Sequence, residues 1–188
     1  MKVEINKSMK LSEHFTLGEL CKTKHVTEDG NIPSHVAIEN LKRICENWLE
    51  DLRYSYNMLY VHSGVRPQSK VAGDCTLAPD PGAAPELGAA PETEEPIIIN
   101  SGYRSPEVNL LAGGAKTSNH LSGCAVDIRC VGKEQMIRYA SILVDIADGT
   151  KQDFDELLLE QHGNVCWLHF AVRPPSQGNR RKIDFLKG

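Results

Sequence analysis

The chain has 188 residues, of which 40% are hydrophobic and 24% charged, a composition typical of an ordinary soluble domain with its own core. A net charge of -4 argues against nucleic acid as a partner, and the one basic cluster, Arg180-Arg181-Lys182, is predicted to be a solvated tail. No stretch approaches the roughly 20 apolar residues that span a bilayer, so no membrane insertion is expected. We predict one domain over residues 1–188, present as a monomer.

Residues 1–7 lack the apolar core of a secretory signal, which predicts synthesis in the cytoplasm without a signal peptide of its own. The six cysteines form no C-x-x-C pair, which argues against a zinc knuckle or a thioredoxin-type redox site. Cys45, Cys124 and Cys166 lie in apolar patterns, where a free thiol behaves as a small core residue. An even count permits disulfides, but without a signal we expect reduced thiols.

The first predicted element is an amphipathic helix over residues 34–53. Ser34 is suited to cap its N-terminus, because a serine oxygen accepts a hydrogen bond from the first helical turn. The apolar residues that recur at helical spacing are Ile38, Leu41, Ile44/Cys45, Trp48 and Leu52.

A second helix is predicted over residues 133–148, with Gly149 as its stop signal. Its apolar positions are Ile137, Ala140, Leu143/Val144 and Ala147. Short apolar runs predict strands at residues 97–99, 124–130, 154–160 and 165–172. Because helices and strands do not alternate regularly, we predict an α+β fold rather than a wound α/β sheet.

Residues from about 55 to 96 are predicted to form an insertion into an otherwise compact domain. From Asp74 to Pro96 the chain is rich in Ala, Pro, Gly and Glu. Such a segment offers little apolar surface to offset the entropy of ordering it, so we expect a long disordered loop. Residues 61–67 are similar to residues 99–106, and either a duplication or chance accounts for the likeness.

The strongest chemical signal lies in residues 118–128, where Asp127 follows His120 by seven positions. Imidazole and carboxylate are good zinc ligands, and a catalytic zinc takes three protein ligands and keeps an open position for water. The gap does not suit one helix face, but it suits a loop that leads into a strand. The small residues from Gly123 to Ala125 let the backbone pass close to a crowded site.

His169 is the candidate for a third ligand, because it stands alone in the apolar run of Trp167-Leu168-His169-Phe170. Taken alone, such a histidine is more often a core residue, but with His120 and Asp127 it completes a metal site. A core His and Asp without any metal stays open as the alternative. The other histidines lie in polar surroundings and are predicted to be exposed.

Three motifs resemble the zinc D-alanyl-D-alanine carboxypeptidase family. They are Ser101-Gly102-Tyr103-Arg104-Ser105, Ser118-x-His120-x-x-Gly123-x-Ala125-x-Asp127 and Trp167-x-His169. The family includes vancomycin-resistance dipeptidases and phage endolysins, and it shares its fold with the hedgehog signalling domain. Residues 11–20 are similar to the opening of one branch found in bacteria and phages. The resemblance implies a small antiparallel sheet packed on helices, and peptidoglycan stem peptide, cut near D-alanine, as the substrate.

The resemblance also implies a role for each matching position. The positions that match the ligands of one zinc ion are His120, Asp127 and His169. Arg104 corresponds to the arginine that holds the substrate's carbonyl or carboxylate, a role that its planar charged fork suits. A surface ion pair is the alternative for Arg104. Ser118 corresponds to a residue that contacts the terminal carboxylate, and Tyr103 is also assigned to substrate binding.

The general base is where the sequence departs from the family pattern. Several relatives place an acidic residue three positions before the last histidine, and Cys166 stands there instead. A hairpin across Gly163-Asn164 would carry Glu160 toward the metal, and the branch with the similar N-terminus has a glutamate in the same place. An acid that merely ends a strand is the alternative, and His162 is the next candidate base.

Together these expectations describe a zinc peptidase that acts on peptidoglycan, as a carboxypeptidase or as an endolysin-type endopeptidase. Without a signal peptide, such an enzyme would reach the bacterial cell wall by phage or prophage lysis or by another export route. The alternative is a zinc-binding module of the same fold without catalysis, which the cysteine at the usual base position favours.

Overall fold

The computed structural model describes residues 6–28, 30–62 and 94–188. The helices are α1 (Leu17–Leu20), α2 (His35–Ile44), α3 (Glu50–Tyr56), α4 (Pro106–Leu111) and α5 (Gly132–Thr150). The strands are β1 (Ile99–Ser101), β2 (Ala125–Cys130), β3 (Glu156–His162), β4 (Val165–Ala171) and β5 (Lys182–Lys187). Two π-helical turns (Cys45–Leu49 and Asn57–Val61) follow α2 and α3, and a 3-10 turn (Asn119–Ser122) precedes β2. The predicted α+β class is confirmed.

The five strands form one sheet in the order β1-β2-β4-β3-β5. The first three pairings in this order, β1 with β2, β2 with β4 and β4 with β3, are antiparallel. A two-residue turn at Gly163 and Asn164 joins β3 to β4, and Gly163 takes a positive φ of 57° that glycine adopts without steric cost. The hairpin predicted across this pair is confirmed.

The C-terminal segment differs from its prediction as a solvated tail. β5 pairs in parallel with β3, so the sheet is not purely antiparallel as expected. Arg180 lies 2.7 Å from Asp155 and Arg181 lies 2.9 Å from Asp153, so neither arginine is simply solvated. The strand was missed because all its residues are exposed and charges alternate irregularly with its apolar residues.

Helix α2 begins where the sequence predicts it, and Ser34 Oγ accepts a hydrogen bond from the Ala37 backbone N–H at 3.2 Å. The helical path continues through α3 to Val61, beyond the predicted end at residue 53. It therefore enters the first residues of the predicted insertion at 55–96. Residues 63–93, which hold most of that insertion, lie outside the described residues.

The predicted core face of α5 is confirmed at Ala140, Leu143 and Ala147 and is wrong at Ile137. Ile137, predicted to be apolar core, is 56% exposed, whereas Met136 is fully buried. The helix also continues through Gly149 and ends at Thr150, where Lys151 takes the left-handed conformation with φ 57°. The residues that do form its buried face are Met136, Tyr139, Ala140, Ile142, Leu143 and Ala147.

One hydrophobic core joins the helices to one face of the sheet. Trp48 lies at its centre, with its ring 5.0 Å from that of Phe170 and 6.4 Å from that of Phe154. The five described cysteines are buried free thiols, and burial raises the pKa of Cys21 and Cys130 to about 12. Among the described residues, no helix is both long and apolar enough to cross a membrane.

Candidate metal centre and active-site cleft

The candidate site lies on the face of the sheet opposite the core. In β2 and β4, Asp127 stands directly across from His169. Their neighbours Ile128, Leu168 and Phe170 are fully buried in the core. Because side chains alternate along a strand, these apolar residues fix the face on which the two candidate ligands lie.

His120 reaches the same point from the 3-10 turn before β2. Ser118 caps this turn, and its Oγ accepts a hydrogen bond from the His120 backbone N–H at 3.3 Å. Gly123 ends the turn in the left-handed conformation, with φ 69°. A Cβ at this position would lie 2.4 Å from the Ala37 carbonyl oxygen, so only glycine lets the turn pack this closely on α2.

The three predicted ligands converge as a metal site requires. Ligand atoms of His120, Asp127 and His169 all lie within 4.8 Å of one another. Asp127 Oδ1 lies 3.2 Å from His120 Nε2 and 3.0 Å from His169 Nδ1. Tetrahedral zinc with bonds of about 2.0–2.2 Å places neighbouring ligand atoms roughly 3.3 Å apart, so this spacing fits zinc. Three protein ligands also leave a fourth position open.

The second nitrogen of each histidine is also held. His120 Nδ1 lies 2.5 Å from the Gly102 carbonyl oxygen, which can only accept, so Nδ1 carries the hydrogen and Nε2 is free to bind a metal. His169 Nε2 lies 3.8 Å from Glu156 Oε2, which leaves Nδ1 as its metal-binding atom. Contacts of this kind orient histidine ligands and set their tautomers.

The pKa shifts of the candidate ligands are also compatible with a bound metal cation. Burial by itself raises the pKa of Asp127, but the two neighbouring histidines hold its pKa well below the usual range. Burial lowers the pKa of His169, yet its contacts with Asp127 and Glu156 raise the pKa to about 9. The two carboxylates therefore favour positive charge at this point, which a bound dication would supply.

Arg104 lies beside the metal ligands rather than in an ion pair remote from the site. Its Nη2 donates a hydrogen bond to Asp127 Oδ2, and its Nε donates to Ser101 Oγ at 2.8 Å. The Arg104 backbone N–H donates to the His120 carbonyl oxygen at 3.1 Å. The guanidinium is thus fixed at the cleft, next to the point where the three ligands meet.

Glu160 lines the same cleft as the three ligands. This cleft has a volume of about 790 Å3, and its lining includes Arg104, Ser118, Glu160 and Trp167. In the β3–β4 hairpin, Glu160 stands directly across from Trp167, on the face that carries His169. Burial raises the pKa of Glu160 above its usual value. The hairpin thus brings Glu160 to the site in the way that the sequence predicts.

The other sequence candidates lie elsewhere. Cys166 is 4% exposed and stands on the core face of β4, opposite the face of His169. His162 is exposed at the turn end of β3. Tyr103 is 8% exposed within the hydrophobic core, and it is not among the described residues that line the cleft. Its assignment to substrate binding stays a prediction.

A buried charge network on the other side of His169 was not predicted from the sequence. Asp155 is fully buried and accepts hydrogen bonds from Arg180 Nε at 2.8 Å and Nη2 at 2.7 Å. Arg173 Nε lies 2.9 Å from Asp155 Oδ1, and Asn119 Nδ2 donates to Oδ2 at 3.1 Å. The carboxylate thereby anchors the residue that precedes His120. We call Asp155, Glu156, Asn119, Arg173 and Arg180 the Asp155 network.

Glu156 connects this network to the metal site. Arg180 Nη2 lies 3.0 Å from Glu156 Oε1, and Asn119 Nδ2 donates to Glu156 Oε2 at 3.3 Å. The nearby imidazole of His169, at 3.8 Å, is the main cause that lowers the pKa of Glu156. The alternation of β3 could have revealed this residue, because positions 156 and 160 must share a face. Its arginine partner lies far along the chain and leaves no local signal.

Comparison with known proteins bears on the part of the chain that holds most of these residues. The family described as Peptidase M15 matches residues 87–156. This match supports a peptidase. The matched range contains Arg104, Ser118, His120 and Asp127, and Glu160 and His169 lie beyond its end. The family is one of zinc peptidases, and the His120-Asp127-His169 cluster is a candidate site for its metal. No curated protein matches the chain.

Proposed function

We propose that the protein is a zinc peptidase that cleaves peptidoglycan stem peptides near D-alanine, as a carboxypeptidase or an endopeptidase. The observation that carries the proposal is the meeting of three ligand side chains, Arg104 and Glu160 in one cleft. The Peptidase M15 match supports a peptide as the substrate, and the resemblance of the three motifs supports a stem peptide. Action at the bacterial cell wall would follow from this substrate.

One zinc ion held by His120, Asp127 and His169 would lower the pKa of water toward about 7 and polarise the substrate carbonyl. Glu160 accepts a proton from the attacking water and returns it to the leaving amine. Arg104 stabilises negative charge on the carbonyl oxygen of the substrate, as a fixed guanidinium does in a partly buried site. Ser118, at the margin of the cleft, contacts the terminal carboxylate.

Glu160 is a better base than Glu156, although both lie near His169. The pKa of Glu160 is raised by burial, which favours proton transfer near neutral pH. Glu156 is already held by Arg180 and Asn119, and its pKa is lowered. The non-catalytic alternative rests on Cys166 at the usual base position, whereas a glutamate in the cleft favours catalysis.

Digestion of purified muropeptides by the zinc-loaded protein, with products identified by mass, tests the proposal. We expect a cut at or near D-alanine, lost on chelation and restored by zinc. His120→Ala should bind no zinc and cut nothing, whereas His35→Ala, which replaces an exposed histidine, should behave as the parent. Muropeptides that stay intact with the fully loaded parent would contradict the proposal.

A further inference from the structure

We propose that the loop after α1 forms an anion-binding wall of the cleft, which takes a carboxylate of the peptide substrate. The wall consists of Lys22, Lys24 and His25, all of which line the cleft together with Arg104. The inference rests on the proposed function for the identity of the substrate, and on the contacts of these residues for the site itself.

The charge of the wall is unusual for this chain. Asp and Glu outnumber Lys and Arg by 25 to 21, yet the wall places two lysines and a histidine within four consecutive positions. Within residues 6–28, 30–62 and 94–188, none of the three enters an ion pair. The arginines of the Asp155 network, by contrast, are neutralised by buried acids. The wall is therefore the part of the cleft whose positive charge is not neutralised by an acidic side chain among the described residues.

The position of the wall is fixed by contacts at the base of the loop. The Tyr103 backbone N–H donates to the Leu20 carbonyl oxygen at 2.7 Å. Buried Asn31 donates from Nδ2 to the carbonyl oxygens of Cys21, at 2.9 Å, and Tyr103, at 3.2 Å. Asn31 Oδ1 accepts from the Ser105 backbone N–H at 2.7 Å. Hydrogen bonds thus attach the base of the loop to Tyr103 and Ser105, the residues on either side of Arg104.

This attachment depends on a glycine. A Cβ on Gly102 would lie 2.4 Å from the Leu20 carbonyl oxygen, which is backbone and cannot move aside freely. The Gly102 carbonyl oxygen is the same atom that orients His120. Because Gly102 contacts both Leu20 and His120, the wall and the metal centre are held in fixed positions relative to each other.

The remaining charges in the cleft define the ligand. Two acids line the described part of the cleft, Asp127 and Glu160. Asp127 is already engaged by Arg104 and both histidines, and none of the ion pairs among the described residues joins Glu160 to the wall. Lysine ammonium groups are compact, strongly hydrated charges, and they suit an anion that stays in contact with solvent. A peptide carboxylate away from the scissile bond has this character. Both the terminal carboxylate and a carboxylate within the peptide have this chemistry, and the test distinguishes them.

The test compares four forms of one stem peptide, in which the terminal carboxylate and the internal glutamate carboxylate are free or amidated singly and together. For the parent, amidation of the recognised carboxylate should lower kcat/KM roughly tenfold, and the singly amidated peptides identify which carboxylate it is. In Lys22→Gln/Lys24→Gln, the ratio between the free and amidated forms should fall to about one. Added salt should weaken the preference of the parent, because screening acts on exposed charges.

Lys133→Gln/Lys151→Gln is the matched control, because it removes the same charge from exposed positions at the two ends of α5. This control should keep the parent's preference. A preference unchanged in the wall variant, or reduced equally in the control, would overturn the inference. Zinc content and melting temperature show whether each variant is folded.

Binding separates this inference from the proposed activity. If the parent cleaves no peptide, the activity is wrong, and the affinity of the intact peptides then tests the wall alone. Tighter binding of the carboxylate form that disappears in Lys22→Gln/Lys24→Gln supports the wall. Equal binding of the free and amidated forms by the parent overturns it.

Discussion

Glu156 and Glu160 are the same residue type on the same face of β3, yet their surroundings differ. Leu158, between them, stands directly across from His169, so the two carboxylates flank this ligand from opposite sides. Burial raises the pKa of Glu160, whereas contacts with His169 and Arg180 hold the pKa of Glu156 below its usual value. Under the proposed function, environment rather than residue type suits Glu160 to accept a proton and Glu156 to remain a fixed charge.

The difference extends to the regions around the two residues. Glu156 belongs to a network in which Asp155 is satisfied by two arginines and an asparagine. Glu160 faces the open cleft, where Lys22, Lys24 and His25 form no ion pair with another described residue. A network whose charges are all paired is suited to holding the metal ligands in place. A cleft that contains unpaired charges is suited to substrate binding and chemistry. Four substitutions test this division.

Asp155→Asn should have the largest effect, because it leaves the charges of Arg173 and Arg180 without their buried partner. We expect a loss of about 3 kcal/mol in the free energy of unfolding at neutral pH. Denaturant titration measures it, and Asp145→Asn, at an exposed position on α5, is the control. The two variants would have equal stability if the network contributed nothing.

The same substitution predicts a pH dependence. The folded-state pKa of Asp155 is lowered, with burial opposed by its bonds to Arg180 and Asn119 and by the nearby arginine charges. A lowered carboxyl pKa stabilises the fold above the unfolded pKa of about 3.9, and this contribution is lost as the pH falls through the folded pKa. The difference in melting temperature between parent and Asp155→Asn should therefore narrow below about pH 4.

Glu160→Gln keeps the shape of the side chain but removes the proton acceptor. Turnover should fall by about 100-fold or more while zinc content barely changes. Steady-state kinetics and metal analysis of the same sample measure both quantities. Cys166→Ala, on the core face, should leave turnover nearly as in the parent. If Cys166→Ala abolished turnover and Glu160→Gln did not, the base would be wrongly assigned.

Glu156→Gln sharpens the comparison, because it makes the same chemical change on the other side of His169. Loss of the carboxylate that orients this ligand should weaken zinc affinity by about 10- to 100-fold. Competition with a chromophoric chelator measures the affinity. At saturating zinc, turnover should fall far less than in Glu160→Gln. If Glu156→Gln and Glu160→Gln had the same zinc affinity and the same turnover, the two sides of His169 would not differ in function.

Arg104→Lys should have the smallest effect of the four. Lysine keeps the charge but loses the planar fork that contacts Asp127 and Ser101 together. Turnover should fall by at least about tenfold, with zinc content unchanged. A variant as active as the parent would show that Arg104 only supports the structure.

Local patterns in the sequence predict the part of the site that lies on the sheet. Alternation in β2 and β4 places Asp127 and His169 on one face, and the turn at Gly163 brings Glu160 beside them. Each inference needs only a strand period of two residues and a short turn. The strand alternation and the turn can each be recognised from a few residues around the site residue. They can therefore be used before the fold is known.

The Asp155 network could not be predicted in this way. Arg180 lies 25 positions from Asp155, and its role depends on β5 pairing in parallel with β3. That strand has no buried residue, and its alternation of charged and apolar residues stops at Phe185 because Leu186 follows directly. Ile137 was wrongly assigned to the core face of α5 for a related reason, since Met136 and Ile137 are both apolar and only packing chooses between them.

The placement of both glutamates on one face of β3 also protects the protein against misfolding. Leu157 and Leu159 occupy the alternate positions and point toward the core. A slip of β3 by one residue against β4 would bury both carboxylates and move the leucines into solvent. A chain that pairs β3 out of register therefore loses apolar burial and also bears the free-energy cost of desolvating two carboxylates. The register that buries Leu157 and Leu159 is therefore the same register that places Glu156 and Glu160 on the face of His169.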